Sequence, residues 1–587
     1  MAHGSRLLIL CLTLGLLAGC AQPATSLQGT DQTAPRLAPV ASSKDQAAVQ
    51  QMLRAELTRQ LAARGITLDA AGRPLRDGKA VSSLPPRIYQ TPSVQVNPIT
   101  NETQLYWTYE PHGDYDLNGE VNISDITPVG QYFHAKSGDA NWGQAQAADG
   151  DGNGEVNIAD ITPIGASFGV RTEGFVVEAR EAAGDWREYG NMEFSAGFPT
   201  GVTLEYGYDV PSGPYEAEYR LAPVGGMRDF AWDTYILTDA ALGAEHPQLA
   251  VADGKPVLAF VDMGSLGFTL GFAVATESRP ASVSDWSIEP DLSVSNAGDM
   301  PCSLAVNQGK PCLAYCAFNG ATYDTDFKVR DAGAAPTSTW STLVVATSAV
   351  ASTYVELTMR EGRPQLLSNG FGLKLMAGQT AFPANASEWT WISANPSLGN
   401  FDHIDAVCSG PLLFACGIDA TGPNLVFNRS KVPAPTVPAD FSEYILNPVG
   451  STEGYPSLVL IGGLPCVAFS NYADDTLYFL MAPNRIVDSA ASWFMHDVVT
   501  GSSEFRNPCM ALVEGKPAIV AGATTLDFHW TGGQFQDSKA DWHTQQITSG
   551  TAPGGVSMVV IDGLPIVAYC VNPSGPSNIA IAVAREQ

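Results

Sequence analysis

The chain has 587 residues, 45 % of them hydrophobic, with 57 Gly, 40 Pro and a formal charge of −29. That length exceeds one ordinary core and predicts several domains, and the frequent Gly and Pro favour turns over long helices. Phosphate recognition needs clustered Lys and Arg, so a nucleic-acid partner is not expected of so acidic a chain.

Residues 1–19 read as a secretory signal, with Arg6, an apolar run from Leu7 to Leu17, and small residues before Cys20. The ending Leu17-Ala18-Gly19-Cys20 resembles the bacterial lipobox. This implies cleavage before Cys20, lipidation of its thiol, and anchoring to a bacterial membrane. Ala21 resembles the residue that sorts such proteins to a Gram-negative outer membrane, so an extracytoplasmic, cell-surface location is expected. No later run is long and apolar enough to span a bilayer. Residues 20–43 are rich in Ala, Gln, Pro, Thr and Ser and read as a flexible tether. A helix is predicted over 44–65, because Val49, Leu53, Leu57 and Leu61 recur at intervals of four and Gly65 fits the position that stops it. Residues 66–90 carry no clear signal.

Two twelve-residue stretches, Asp114–Asp125 and Asp149–Asp160, are near copies of each other. Each places oxygen-bearing side chains at positions 1, 3, 5, 9 and 12 and a backbone carbonyl at 7, the spacing that converges oxygens on Ca²⁺. In the first these are Asp114, Asp116, Asn118, Asn122 and Asp125 with the carbonyl of Glu120; in the second, Asp149, Asp151, Asn153, Asn157 and Asp160 with the carbonyl of Glu155. Gly119 and Gly154 fall at position 6, where the loop turns sharply. Two calcium ions are therefore expected. Each loop leads into one short helix, with Ile126, Val129 and Phe133, or Ile161, Ile164 and Phe168, sharing a face.

From Ser93 to about residue 228 the hydrophobic period is two. The aromatic strand Leu105–Tyr109, the hairpin Gly174–Arg180 with Asp185–Tyr189, and the strand Tyr215–Val224 resemble, in order, a fibronectin type III sandwich over 90–228. The loop pair, 113–169, would be an insertion in it.

From residue 230 to 587 the chain repeats. A turn glycine recurs at Gly254, Gly309, Gly362, Gly410, Gly463, Gly515 and Gly563, and an aromatic at Trp232, Trp286, Trp340, Trp389, Phe441, Trp493 and Trp542. A unit of about fifty residues with short strands and Gly/Pro turns is a β-propeller blade. Seven copies of each marker predict seven blades. The aromatic strand at Trp232 precedes the first turn and no aromatic strand follows the last, so strands from both ends are expected to close the ring. Eight cysteines lie at repeat positions and read as buried apolar side chains; Cys302 and Cys316 are the one pair placed to form a bridge. The predicted fold class is thus mainly β: a sandwich carrying a calcium-loop pair, then a seven-bladed propeller.

The duplicated loop and helix, ending in Asp at position 12, resembles a dockerin over about 113–169. The resemblance implies two calcium ions held by the residues above, and a cohesin module as partner on a polysaccharide-degrading system. Dockerins commonly show hydroxyl residues at loop positions 10 and 11 and a basic pair further on. Here those places hold Ile123-Ser124 and Ile158-Ala159, then Gly130-Gln131 and Gly165-Ala166, so the cohesin-binding face does not carry over.

No catalytic constellation is visible. Gly165–Gly169 matches Gly-x-Ser-x-Gly but ends a calcium-loop helix and does not form a strand-to-helix elbow. The histidines His112, His134, His246, His403, His496, His529 and His543 are scattered and share no repeat position or metal spacing. The expectation is a non-enzymatic, calcium-binding surface lipoprotein whose propeller presents a protein- or glycan-binding face. The alternative is an extracellular carbohydrate-active enzyme of glycoside hydrolase type, which would gather two facing carboxylates from different blades, or a polysaccharide-degradation component with the dockerin-like pair as docking module.

Overall fold

The computed structural model describes most of the chain from Ser43 onward. Residues 1–42, including the signal, most of the tether and Cys20, lie outside the described residues, as do several later loop stretches. The chain divides into two compact units. One comprises residues 1–175, 192–210 and 221–226, and the other residues 176–191, 211–220 and 227–587.

In the first unit, helix α1 spans Ser43–Ala63. Leu53, Leu57 and Leu61, the residues spaced by four, are its buried side, and Gly65 stops the helix at φ +71°. The stretch without a sequence signal holds a small antiparallel meander, β1 (Ile66–Leu68), β2 (Pro74–Arg76) and β3 (Lys79–Ala80). Strands β4 (Ser93–Val96) and β5 (Thr103–Thr108) follow, and then the loop region with helices α2 (Ile126–Gln131), α3 (Trp142–Ala145) and α4 (Ile161–Ala166). Helix α3 was not anticipated; it is a single turn leading into the second loop. Later in the chain come β6 (Gly174–Arg180), β7 (Arg187–Glu193), β8 (Glu205–Val210) and β9 (Glu218–Val224); with β4 and β5 they make two three-stranded sheets in the orders β4-β5-β8 and β7-β6-β9, the second drawing on residues 176–191 and 211–220 of the second unit. Trp107 of β5 meets Phe175 of β6 edge to face at 5.4 Å.

Residues 230–586 form seven four-stranded antiparallel sheets. Blades 1 to 6 begin at Ala244, Ser303, Val355, Phe401, Ser457 and Arg506, each with its strands in chain order. Blade 7 takes three strands from Val556 onward and a fourth, β10 (Phe230–Ile236), from the other end of the region; Trp232 lies opposite Ala584. That is the closure which the order of the markers predicts. The first strands of successive blades touch in cyclic order, blade 7 meeting blade 1, so the ring is complete. Closure leaves each blade a neighbour on both faces, which a single amphipathic sheet cannot provide for itself.

The repeated aromatics act between blades. Trp340 packs edge-on against Phe272 of the preceding blade (4.9 Å), Trp389 against Phe327 (5.3 Å), Trp493 against Phe427 (4.9 Å), Trp542 against Phe479 (5.4 Å) and Trp232 against Phe528 (5.5 Å). None of the eight described cysteines is in a disulfide, Cys302 and Cys316 included, and all but Cys509 are buried.

Six of the inner turns place two residues at positive φ, as in Asp253-Gly254 (+50°, +72°) and Glu361-Gly362 (+50°, +69°). This is the backbone of a type I′ hairpin, whose twist matches the strands it joins. Blade 4 differs. Its turn is Gly410-Pro411, with Gly410 at +53°; proline must hold φ near −65°, so the glycine moves to the first central position. Counting from glycines is therefore wrong by one residue in blade 4, with a consequence for the site below.

Candidate functional site

The loops first. Carboxylate oxygens of Asp114, Asp116 and Asp125 lie within 4.8 Å of one another, as do those of Asp149, Asp151 and Asp160. The position-12 residues organise each loop. Asp125 accepts from the backbone N–H of Tyr115 (2.7 Å), Asp116 (3.1 Å) and Asn122 (2.7 Å); Asp160 accepts from Gly150 (2.8 Å), Asp151 (3.2 Å) and Asn157 (2.6 Å). Asp114 and Asp149 take the N–H groups of Gly119 and Gly154, which turn at φ +85° and +84°. Asn122 and Asn157 cap the short helical turn after them by accepting from Ser124 and Ala159, while Asn118 and Asn153 accept from Glu120 and Glu155. Burial, opposed by these hydrogen bonds, pushes the Asp125 carboxyl up to about 8 and raises that of Asp160.

Asp116 Oδ1 is buried with no hydrogen-bond partner, although the Ser124 hydroxyl sits on Oδ2. An orphan carboxylate oxygen facing two more carboxylates fits a hard cation, which would supply the missing partner and the charge balance. The chain therefore holds two acidic clusters able to chelate a divalent cation.

The two loops brace each other. Val121 N–H bonds to Val170 O, and Val156 N–H to Ala135 O, so each loop pairs with the segment after the other loop's helix. The Tyr115 hydroxyl donates to Asp160 O, and its ring fills the space where Gly150 has no Cβ. Helix α1 lies on α2 and α4: Gln50 Nε2 donates to Ile126 O (3.3 Å) and Arg64 Nη1 to Gly165 O (2.6 Å). A Cβ on Gly130 would meet Gln50 at 2.3 Å, and one on Gly165 would meet Gln60 at 2.6 Å. The place where the dockerin resemblance would put a basic pair is thus covered by the chain's own helix.

In the propeller, the first strand of each blade carries one residue at the same register from its turn. These are Gln248, Ser303, Glu356, Asp405, Ser457, Cys509 and Ser557, opposite Ala259, Ala314, Leu367, Cys416, Ala468, Val520 and Ala568. Most cap the next blade. Ser303 Oγ accepts from Leu357 N–H (2.9 Å), Asp405 Oδ2 from Leu458 (2.6 Å), Ser457 Oγ from Met510 (3.0 Å) and Ser557 Oγ from Leu249 (2.9 Å). The Cys509 sulfur faces Met558 N–H in the same way. An inner strand is a sheet edge, and this belt satisfies an N–H that the ladder leaves unpaired. Ser457→Ala is accordingly expected to cost about 1–3 kcal/mol, the penalty of an orphaned buried donor. A denaturant midpoint unmoved by the change would contradict the belt.

Two belt members on neighbouring blades are carboxylates. Glu356 departs from the pattern by accepting from the Ser303 hydroxyl, one blade back (3.1 Å). Asp405 is held by the N–H groups of Leu458 and Ala406 and by the Ser457 hydroxyl. Burial and the charge of Asp405 raise Glu356 well above the ordinary carboxylate range; burial, resisted by its N–H donors, takes Asp405 to about 6. Both side chains are half-buried rather than sealed. Two residues before them come Tyr354 and His403, whose phenol oxygen and Nε2 are 2.9 Å apart and whose rings lie 4.4 Å apart.

Strand β7 marks the opposite, turn-bearing end of these blades. Arg187 donates to Cys408 O (2.7 Å), Glu188 accepts from Gly515 N–H (2.6 Å), and Tyr189 O accepts from Gly462 N–H (2.5 Å), so this segment lies along the turns of blades 4, 5 and 6.

No family model and no curated protein matches the chain. Among solved structures it is similar to a sialidase of Trypanosoma rangeli, at 10 % identity and a TM-score of 0.35, covering 58 % of this chain and 54 % of that one. It is also similar to a neuraminidase-like protein of A/flat-faced bat/Peru, at 8 % identity and a TM-score of 0.32, covering 62 % of this chain and 96 % of that one. The chain spans about half the length of the sialidase, and neither likeness carries an argument about activity.

Two expectations are corrected. The chain is not recognised as a dockerin-bearing lipoprotein: no family model matches it, and α1 covers the helix surface concerned. The non-enzymatic reading falls as well. It rested on the absence of a catalytic constellation, and the ring brings Glu356 and Asp405 together from adjacent blades. Neither residue stood out in a chain with 60 acidic residues. Nor do the histidines lack a repeat position. His246 and His403 both sit at bulges two residues before a belt position, at φ +51° and +68°, and the shifted glycine of blade 4 hides the equivalence.

Proposed function

We propose that the chain is an extracytoplasmic carbohydrate-active enzyme of glycoside hydrolase type, with the propeller as its catalytic domain. The observation that supports this is the Glu356–Asp405 pair, two carboxylates raised by burial and contributed by neighbouring blades, with the charge of Asp405 raising Glu356 further. Their surroundings separate them, as acid and base partners require. Glu356 has one hydroxyl donor and keeps its proton. Asp405 has two backbone donors and a hydroxyl, and ionises first. Glu356 then gives its proton to the glycosidic oxygen as the anomeric C–O bond breaks. Asp405 takes a proton from the water whose oxygen bonds to the anomeric carbon.

The remaining parts are supporting ones in this reading. The two acidic loops each hold one Ca²⁺ through Asp114, Asp116, Asn118, Glu120 O, Asn122 and Asp125, and through Asp149, Asp151, Asn153, Glu155 O, Asn157 and Asp160. The sandwich is of fibronectin type III kind, and a lipid on Cys20 tethers the enzyme to a bacterial membrane. The test is reducing-end release from a panel of polysaccharides and aryl glycosides, using the full chain with calcium. Release by the native protein, abolished by Asp405→Asn, supports the reading; no release across the panel overturns it.

A further inference from the structure

We propose that Tyr354 and His403 are positioning residues of this same site, forming a wall against which the ring of a neutral sugar packs. The inference rests on the carboxylate reading above and adds the substrate class. Tyr354 directly precedes the first strand of blade 3, and His403 lies in the first strand of blade 4. Each is two residues ahead of a carboxylate, Glu356 or Asp405. The aromatic pair therefore lies next to the carboxylates along the chain in both blades. Both pairs bridge the same two blades.

The pair is held in place. Tyr354 N–H donates to Asn369 Oδ1 (2.9 Å), Asn369 N–H donates back to Tyr354 O (3.3 Å), and Asn369 is 3 % exposed. His403 is the extra residue of a β-bulge, between Asp402 and Ile404 in the pairing register, with φ +68°. A bulge frees a residue from the ladder and re-aims its side chain. Blade 1 has a bulge in the same place, so strain alone distinguishes nothing. What sets blade 4 apart is that its bulged residue meets the phenol of the neighbouring blade. The two rings, tilted at 45° with centroids 4.4 Å apart and linked by the 2.9 Å contact, overlap into one half-buried aromatic unit with polar rims. The apolar face of a sugar ring matches that unit, and its hydroxyls match the rims.

Charge narrows the class. Among the described residues, the hydrogen-bond partners of Glu356 and Asp405 are hydroxyl and backbone N–H groups, with no Lys or Arg. An anionic sugar would bring a second negative charge beside Asp405, whose charge already raises Glu356. A neutral glycan carries no such penalty.

The test uses the full chain with calcium and separates binding from turnover. Calorimetric titration of Glu356→Gln with cellohexaose, xylohexaose, mannohexaose and chitohexaose is expected to show binding of at least one. Sialyllactose and a galacturonate hexamer should bind at least tenfold more weakly. Adding Tyr354→Ala or His403→Ala should weaken binding at least tenfold, whereas Tyr354→Phe, which keeps the ring, should weaken it no more than threefold. In the otherwise native protein the alanine variants should raise KM tenfold or more with kcat within threefold, and the melting temperature should stay within 2 °C. Affinity unchanged by both alanine variants, tighter binding of the anionic sugars, or no binding of any neutral hexasaccharide overturns the inference. The two readings fail separately. Hydrolysis by the native protein that ignores both alanine changes sinks the wall alone. Binding that both alanine changes weaken, without hydrolysis by the native protein, sinks the enzyme alone.

Discussion

Glu356→Gln is expected to stop hydrolysis and stabilise the propeller at once. The amide keeps the shape of the carboxyl and can still accept from Ser303, but it has no proton to give; loss of a general acid lowers kcat by about 10²–10⁴-fold. Stability moves the other way because burial opposes ionisation of the pair. Both carboxyls are raised in the folded state, Asp405 to about 6 and Glu356 further. Below about pH 4, folded and unfolded chains are equally protonated and the pair costs nothing. Between there and the folded values, the unfolded chain releases protons that the folded one retains, so stability falls as pH rises. The variant has no carboxyl at 356 to be held protonated on folding, and so flattens that slope. Its advantage in melting temperature over the native protein should be small at pH 4.5 and largest at pH 7.5. One kcal/mol moves the midpoint by about 2–4 °C in domains of 150–250 residues, so several degrees are expected. A variant melting at or below the native temperature at pH 7.5 would sink the paired-carboxylate account. Active-site groups held against their own solvation preference show this opposition of activity and stability.

Removal of calcium carries the second large effect, confined to the other unit. An ion present at about a thousand times its dissociation constant stabilises the state that binds it by about 4 kcal/mol per site. Leu53, Leu57 and Leu61 of α1 share one apolar cluster with Tyr115, Ile126, Val129, Val156, Ile161 and Ile164, so the loops and the helix hold or fail together. Chelation by EGTA should lower the melting temperature of this unit by more than 10 °C and expose α1 to trypsin at Arg54, Arg59 and Arg64. The propeller transition should stay where it was. Asp116→Ala removes the orphaned oxygen and should reduce the calcium stoichiometry from two to one by titration. A stoichiometry still at two, or α1 equally resistant with and without EGTA, would contradict calcium at these loops.

Local chemistry made much of this legible in the sequence. The acidic loops could be read because their oxygen-bearing residues lie within twelve residues, and a tight turn with Gly at position 6 leaves few other arrangements. The blades could be read because each repeats a short-range device, a glycine where φ must be positive and an aromatic where one blade meets the next. Even the closure by β10 followed from the order in which the markers occur. Helix α1 was visible as a periodic stripe, but its partner was not, since nothing in residues 44–65 says which surface that stripe covers.

The site was a different matter. Glu356 and Asp405 are 49 residues apart in the chain and unremarkable among so many acids; only the packing of blade 3 against blade 4 makes their strands neighbours. Proline at 411 shifted the turn glycine of blade 4 by one place, and so concealed that His403 and His246 stand at equivalent bulges. The sequence by itself determined the repeating unit, the acidic loops and the way the ring closes, because each is written in contacts between near neighbours or in the order of the chain. The tertiary structure alone decided which side chains face one another across blades and which surface α1 covers. Those pairings depend on register and on blade packing, which no single repeat contains.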